Sequence, residues 1–373
     1  MPMEIAVVGI SVSPTCGVRD HAGLLAADLT RRGHSCTFHW LRREERSLRG
    51  ARAEVLAWTR ELAPALSDNR PGAILLHYSV FSYAHRGLPL FVRPTLAALQ
   101  SSGAPVVSVL HEFAYPWRYR DWRGNVWAIA QRAALIPVMR TSCAAITTGD
   151  ARVQWLTSRP WLPRRRVLLA PVFSNLPAPS APDGGHGHEL IGLFGYSYQG
   201  AAMSVILDAL GDLRGRGLGA RLRLLGAPGR SSSAGDAWLD GARERGLEDA
   251  VSFSGALPAQ ELSDALAECD VLLFVDEAGP TSRKGTLAAS LASGRPVVAL
   301  DGPQTWSELV ERRAAQVVAP TDSALVDALS VLLEDERSRE ELGLRGRVFA
   351  EREMGLSRTT EAVRSLLADP LCA

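Results

Sequence analysis

Short apolar runs alternate with longer segments of helical periodicity along this chain, and that alternation limits it to a few architectures. In the first half the apolar runs are Glu4–Ile10, Ser35–Trp40, Ala73–Tyr78, Pro105–Leu110, Ala144–Thr148 and Arg166–Leu169. Segments of helical period lie between them, at Asp20–Arg32, Ser47–Leu66, Phe91–Gln100 and Asn125–Arg140. Continuously apolar strands separated by helices are typical of a parallel sheet that is covered on both faces.

The alternation stops at residues 177–189, PAPSAPDGGHGHE, which show no periodicity and which we interpret as a linker. The apolar runs then resume at Leu190–Phe194, Ala220–Leu225, Val251–Ser254, Val271–Val275, Pro296–Leu300 and Ala315–Val318, followed by a helical tail, roughly Ala324–Leu367. We therefore predict an α/β protein of two doubly wound Rossmann-like domains that face a cleft, with residues 1–176 in the first and 190–350 in the second.

Composition narrows the classes of protein that this chain can be. Its 373 residues are enough for two such domains, and a net charge of +1 gives no global attraction to nucleic acid or anionic lipid. The five cysteines are scattered and nowhere spaced C-x-x-C, so we expect no disulfide framework, no zinc site and a reducing cytoplasm. Neither a signal peptide nor an apolar stretch of the ~20 residues needed for a membrane span is evident.

Ligands of doubly wound sheets bind outside the carboxyl ends of the strands, so the loops there are the candidate sites. The first strand leads to Gly17, Arg19 and Asp20 at a helix start, where the backbone is open and anions are favoured. The alternative is a plain loop glycine with Asp20 as the helix cap. A later strand ends at His111-Glu112, and a histidine there suits proton transfer or binding of sugar hydroxyls unless it is merely structural.

Two loops of the second domain have phosphate-binding character. The polar loop 195–200 follows the first strand, and its backbone amides and Ser197 can meet phosphate oxygens. The loop 276–286, DEAGPTSRKGT, leads from a buried strand into a helix of small residues. Two hydroxyls, the adjacent Arg283 and Lys284, and a glycine at a helix start suit a diphosphate. The alternative reading of the second loop is a solvated Arg-Lys pair.

At this loop the chain resembles a family-4-type retaining glycosyltransferase of the GT-B fold, and the resemblance covers nearly the whole length. It rests on the order and spacing of five segments: Cys16-Gly17-Val18 before the first helix, His111-Glu112, residues 251–258 (VSFSGALP), residues 289–299 (ASLASGRPVVA) and residues 341–347 (ELGLRGR). The resemblance implies that a nucleotide sugar binds mainly to the second domain and the acceptor mainly to the first. It also implies that a C-terminal helix, residues 351–373, returns toward the N-terminal domain.

The resemblance assigns roles to particular residues. His111 is the expected catalytic residue, bonding sugar or acceptor hydroxyls. The expected donor-binding residues are Gly17, Gly195, Ser197, Gln199, Gly255, Leu257, Glu277, Ser282, Arg283, Lys284, Gly285 and Thr286. The expected acceptor-binding residues are Arg19, Asp20, Tyr78, Glu112 and Trp117. Because no D-x-D sequence occurs, we expect no metal and no cofactor beyond the sugar nucleotide.

Four positions depart from the family pattern. Typical members carry two glutamates where this chain has Thr281 and Ala289, and an arginine and a lysine where it has Tyr196 and Gln199. Arg283 and Lys284 are the candidates to replace the lost cations. Because the two glutamates are missing, a catalytically silent protein of the same fold is an alternative interpretation.

Two other enzyme classes contain doubly wound domains and are alternatives to a glycosyltransferase. A nucleotide-sugar epimerase shares the two-domain fold, whereas an NAD-dependent oxidoreductase would need a glycine-rich fingerprint that neither domain shows.

Residues 115–127, YPWRYRDWRGNVW, are aromatic and basic. They fit acceptor stacking, a less favoured peripheral membrane contact, or a helix whose arginines extend along the domain surface. Nucleic acid is not expected as a partner.

Overall fold

The structure is a computed structural model that describes residues 2–13, 16–180, 189–195 and 201–372. The chain forms two compact units. The first comprises Met1–Pro171 together with Leu356–Ala373, and the second comprises Val172–Gly355. In the described ranges, no helix has the length and apolar character required to cross a lipid bilayer.

The first unit contains a parallel sheet covered by helices. Its elements are β1 (Glu4–Ser11), α1 (Gly17–Arg31), β2 (Ser35–Arg42), α2 (Leu48–Asn69), β3 (Ala73–Ser79), α3 (Val92–Gln100), β4 (Val106–Glu112), α4 (Trp122–Thr141), β5 (Ser142–Thr147), α5 (Asp150–Thr157) and β6 (Arg166–Leu169). Within the described residues, the six strands pair in the order β2-β1-β3-β4-β5-β6, all parallel. Every residue of β3 is buried, because separate apolar clusters cover the two faces of the sheet.

The second unit repeats this architecture. Its elements are β7 (Leu190–Phe194), α6 (Ala201–Gly215), β8 (Arg221–Leu225), α7 (Ser233–Arg243), β9 (Val251–Gly255), α8 (Ala259–Ala267), β10 (Val271–Phe274), α9 (Gly285–Ala292), β11 (Val297–Leu300), α10 (Ser307–Glu311), β12 (Gln316–Val318), α11 (Asp322–Glu334) and α12 (Glu336–Glu353). Its described strands pair in parallel in the order β12-β11-β10-β7-β8-β9. The predicted class, two doubly wound Rossmann-like units, is confirmed.

Helix starts are fixed by local side chains that the sequence supplies. Ser47 accepts a hydrogen bond from the Gly50 amide at 3.0 Å and begins α2. Asp121 accepts one from the Gly124 amide at 2.8 Å and begins α4. Such caps satisfy amides that have no partner inside the helix.

The last helix, α13 (Leu356–Leu367), packs on the first unit, as predicted. Val363 and Leu366 are fully buried in its apolar cluster with Leu25 and Leu29 of α1. The Thr360 hydroxyl donates to the Asp28 carboxylate at 2.7 Å. The end of the chain is therefore tied to its beginning.

The expectation of unpaired cysteines was wrong for one pair. Cys143 at the start of β5 and Cys372 at the end of the chain form a disulfide, with Cα atoms 5.3 Å apart and 229 residues between them in sequence. The pair forms because α13 and the short helical turn after it place the C-terminus beside β5. Cys16, Cys36 and Cys269 are free. Because two cysteines that lie far apart in the sequence pair with each other, the scattered positions of the cysteines no longer indicate a reducing compartment.

Thiol counting tests this pairing directly. Of the five cysteines, three should react with a thiol reagent in denaturant without reductant, and five after reduction. The Cys372→Ser variant should show four reactive thiols under both conditions, because its loss frees Cys143. Five reactive thiols in the unreduced wild type would contradict the disulfide.

Candidate functional site

Each sheet has a point where its strand order reverses, and crevices for ligands open there at the carboxyl ends of the strands. In the second unit the reversal lies between β7 and β10, which are hydrogen-bonded neighbours although five elements separate them in sequence. In the first unit it lies between β1 and β3. The loops that leave these strands carry most of the residues predicted from the sequence.

In the second unit, the reversal brings two predicted donor-binding segments side by side. Gly195 follows β7 with φ of +77°, and a Cβ built on it would lie 3.0 Å from the Thr286 methyl group. Thr286 is the second residue of α9, whose N-cap, Lys284, makes no side-chain capping bond. The first amides of α9 are therefore available to an anion beside a backbone that carries no side chain.

The charge of the neighbouring loop differs from the prediction. Lys284 forms an ion pair of 2.5 Å with Asp276, whose side chain is 13% exposed, so the lysine does not offer an uncompensated charge. Asp276 also accepts a hydrogen bond from the Ala278 amide at 2.9 Å, which fixes the turn. Arg283 is half-buried and Glu277 is exposed. Two acids therefore balance two bases on this loop.

Burial corrects the role of one predicted hydroxyl. Ser282 is 0% exposed, and its carbonyl accepts a hydrogen bond from the Val172 amide at 2.9 Å, so its side chain is not presented to a ligand in this structure. Thr281 and Ala289, the positions of the missing glutamates, are also buried, with 3% and 4% of their surface exposed. Ala289 packs in an apolar cluster of the second unit.

The loops after β8 and β9 also meet at the carboxyl edge. Gly226 and Gly255 form an isolated bridge, and both have positive φ, at +86° and +68°. The Gly226 amide donates to the Ser254 hydroxyl at 3.0 Å. Leu257 packs its side chain against the apolar core, which leaves only its backbone for the predicted contact with a base. Ser197 and Gln199 lie outside the described residues.

In the first unit, the predicted turn residues lie at the start of α1. Gly17 is its first residue, and Arg19 and Asp20 are exposed in the first turn. Cys16, not Asp20, occupies the N-cap position and makes no side-chain capping bond. A Cβ built on Gly17 would meet nothing within 4 Å, so open space lies above it.

His111 belongs to a cluster that sequence reasoning missed. His21 of α1, His77 of β3 and His111 of β4 lie at the reversal point of the first sheet, with 3%, 1% and 9% of their surface exposed. His77 Nδ1 and His111 Nε2 are 3.1 Å apart. Burial lowers the pKa of His21 to about 4. Burial, then the charge of neighbouring histidines, holds the pKa of His77 and His111 well below the ordinary value, so all three rings are neutral near pH 7.

Two further acceptor predictions have different outcomes. Glu112 is partly exposed beside His111, and Arg152 bonds both its carboxylate, at 2.5 Å, and the His111 carbonyl. Tyr78 was predicted at the strand end but is 0% exposed, because its ring packs against Tyr83 in the core. The structure therefore does not present Tyr78 to an acceptor.

Trp117 lines a cavity of about 480 Å³ on the first unit. The Arg132 guanidinium lies 4.7 Å from the centre of its ring, and Trp155 and Trp161 form another part of the wall. Arginines also lie over neighbouring rings, with Arg118 over Tyr115, Arg120 over Tyr119 and Arg123 over Trp122. The aromatic-basic segment is thus a partly exposed surface of stacked arginines.

A second cavity, of about 500 Å³, was not predicted. It lies where β1 and β2 end and is lined by Val12, Ser13, Arg42, Arg43, Glu44, Glu45, Arg46, Ala84, His85 and Arg86. It shares no lining residue with the Trp117 cavity. The run RREER at residues 42–46 directly after a strand was the available sequence signal. Its mixed charges suit a polar acceptor with several hydroxyl groups.

Two doubly wound parallel sheets are the architecture of the GT-B fold. Comparison with known proteins agrees. Residues 189–335, most of the second unit, match the family described as Glycosyl transferases group 1. No curated protein is significantly similar in sequence to the chain.

Solved structures share the fold over almost the full length. HepE from Anabaena, solved with UDP and glucose, has a TM-score of 0.68 and 16% identity, covering 98% of this chain and 99% of that one. A glycosyltransferase from Rickettsia africae has a TM-score of 0.71 and 11% identity, covering 98% of both chains. Sucrose-phosphate synthase from Thermosynechococcus elongatus has a TM-score of 0.67 and 15% identity, covering 97% of this chain and 99% of that one. The GT-B fold predicted from the sequence is thereby confirmed.

Proposed function

We propose that this protein transfers a sugar from a nucleoside-diphosphate donor to a hydroxyl or amine of a small-molecule or saccharide acceptor, with retention of configuration. The donor binds to the second unit, at the reversal point between β7 and β10. The observation that supports this most strongly is the uncapped start of α9 beside Gly195, within the segment that matches the glycosyltransferase family.

The chemistry follows from what that edge offers. When the sugar leaves, negative charge develops on the diphosphate while the sugar acquires oxocarbenium character. Backbone N–H groups of Gly285 and Thr286, aligned with the helix dipole, stabilise the leaving group without reorganising. The Arg283 guanidinium supplies further N–H donors to the diphosphate. We propose that the diphosphate needs no divalent cation, because these groups take its place.

Retention is proposed through attack on the same face that the diphosphate leaves, with a donor phosphate oxygen accepting the proton of the acceptor. This route needs no carboxylate nucleophile, which agrees with Thr281 and Ala289 at the positions of the family glutamates. The first unit binds the acceptor, with Arg19, Asp20 and Glu112 as proposed contacts. The cavity at the ends of β1 and β2 offers further polar groups.

A nucleotide panel tests the proposed function. UDP, GDP, dTDP, ADP, CDP and NAD are each added with and without magnesium, and the melting temperature is followed. A ligand at about 100 times its Kd stabilises the protein by roughly 2.7 kcal/mol, which is a readily measured shift. We expect one diphosphate to stabilise without magnesium. Stabilisation by NAD alone would contradict the proposal.

Turnover then separates the proposed transferase from its alternatives. The sugar nucleotide of the diphosphate that binds is incubated with and without a mixture of acceptors. We expect products only with an acceptor. Sugar interconversion without an acceptor would indicate an epimerase, and binding without any turnover would indicate a catalytically silent protein.

The ion pair on the donor loop gives a second prediction. Asp276→Asn frees Lys284 and should tighten binding of the diphosphate by roughly 1 kcal/mol, about five-fold in Kd, because it raises the positive charge at the site. Lys284→Met should weaken binding. Glu277→Gln is the matched control, since it removes the same charge from an exposed neighbour without breaking the pair. The Kd of the diphosphate is measured by titration calorimetry. Equal changes in Kd for Asp276→Asn and Glu277→Gln would show that the ion pair does not hold Lys284 away from the diphosphate.

The role of His111 gives a third prediction. His111→Gln cannot keep the position of the ring's hydrogen bond to a sugar or acceptor hydroxyl, and we expect kcat to fall about 10-fold, since such a bond contributes roughly 1–1.5 kcal/mol. His34→Gln, just before the start of β2 and outside both the histidine cluster and the two described cavities, should leave kcat unchanged. Unchanged turnover of His111→Gln at saturating donor would remove His111 from the reaction.

A further inference from the structure

The histidine cluster lies at a ligand-binding position of the first sheet, yet its members face one another. Three neighbouring strands of the sheet position them: His21 lies on the helix that follows β1, His77 on β3 and His111 on β4. The register places Gly9 of β1 opposite His77, and His77 opposite Val109, two residues before His111. Trp40 borders the cluster, with its ring centre 6.1 Å from that of His77, and donates its indole N–H to Ser11.

The spacing of the rings matches a shared metal ion. Ring centres are 5.0 Å apart for His21 and His111, 5.3 Å for His77 and His111, and 5.8 Å for His21 and His77. Three imidazoles bound tetrahedrally at 2.0–2.1 Å place their ring centres roughly 5 Å apart and their ligand atoms roughly 3.3 Å apart. One ligand-capable nitrogen from each histidine lies within 4.8 Å of the other two, so ring rotations complete the site.

One nitrogen of the cluster, Nε2 of His77, lacks a hydrogen-bond partner among the described residues and is therefore open to a metal ion. This nitrogen is buried, whereas Nδ1 of the same ring contacts His111. A buried polar nitrogen without a partner costs free energy that a bound ion recovers. The rings are neutral, which is the form that coordinates metals. Arg152, which donates a hydrogen bond to the His111 carbonyl, is balanced by Glu112.

We propose that His21, His77 and His111 bind one divalent transition-metal ion of the zinc or cobalt class. Three imidazole nitrogens suit these ions and not magnesium or calcium, which prefer oxygen ligands. The exposed 9% of His111 leaves a path for a fourth ligand, such as water. The site lies within the first unit and shares His111 with the proposed reaction, but it shares no residue with the proposed diphosphate site of the second unit. Metal uptake is measured without donor or acceptor, so the metal site and the diphosphate site can fail separately.

Cobalt uptake tests the site. Protein without a histidine tag is dialysed against EDTA, then titrated with Co²⁺ while visible absorption and bound metal are measured. We expect one equivalent, with the intense bands of a four-coordinate site. The X-ray absorption spectrum of the zinc form should show three imidazole ligands. No uptake at equimolar metal, or a spectrum without imidazoles, would overturn the proposal.

Variants locate the ion. His77→Gln should abolish the stoichiometric uptake, with its fold checked by circular dichroism. The matched control is His186→Ala/His188→Ala, because two histidines spaced H-x-H in the linker sequence can bind metal by themselves. This control should bind one equivalent, as the wild type does. Full uptake by folded His77→Gln, or loss of uptake in the control, would overturn the proposal. If His77→Gln does not fold, the zinc spectrum of the wild type decides.

Discussion

The reversal of strand order in each parallel sheet is the constraint on which the rest of the molecule depends. β1 lies between β2 and β3, and β7 lies between β8 and β10, so the connections on either side leave toward opposite faces. Loops then diverge at the carboxyl ends and expose backbone there. In the first unit this point gathers three histidines. In the second it sets Gly195 against the start of α9.

The electrostatics of the proposed donor edge depend on directed dipoles more than on net charge. Asp276 and Glu277 balance Arg283 and Lys284, so the loop itself is close to neutral. Amides at a helix start keep their direction whatever the salt or pH, whereas exposed side-chain charges are screened. A site of this kind tolerates the loss of the family's arginine and lysine more readily than the loss of its glycines.

Apolar patterning predicted the strands to within about two residues, because a strand buried on both faces must be continuously apolar. The same reasoning placed His111 at a strand end. It missed what depends on register and chain return: the neighbours His21 and His77, and the Cys143–Cys372 pair. These contacts join residues far apart in sequence, where local patterns carry no signal. It also missed that Lys284 pairs with Asp276 of the same loop, because the geometry of a turn decides which of its charges meet. Burial of a polar side chain such as Ser282 was invisible for the same reason.

Hydrogen exchange with and without the nucleotide that binds tests the central claim, a diphosphate site at the start of α9, most directly. Exchange of backbone amides reports the segment that a ligand contacts or orders. We expect protection to concentrate in peptides covering residues 276–288, with the peptide that begins at Gly195 also protected. Protection confined to the first unit, or none at saturating nucleotide, would contradict it.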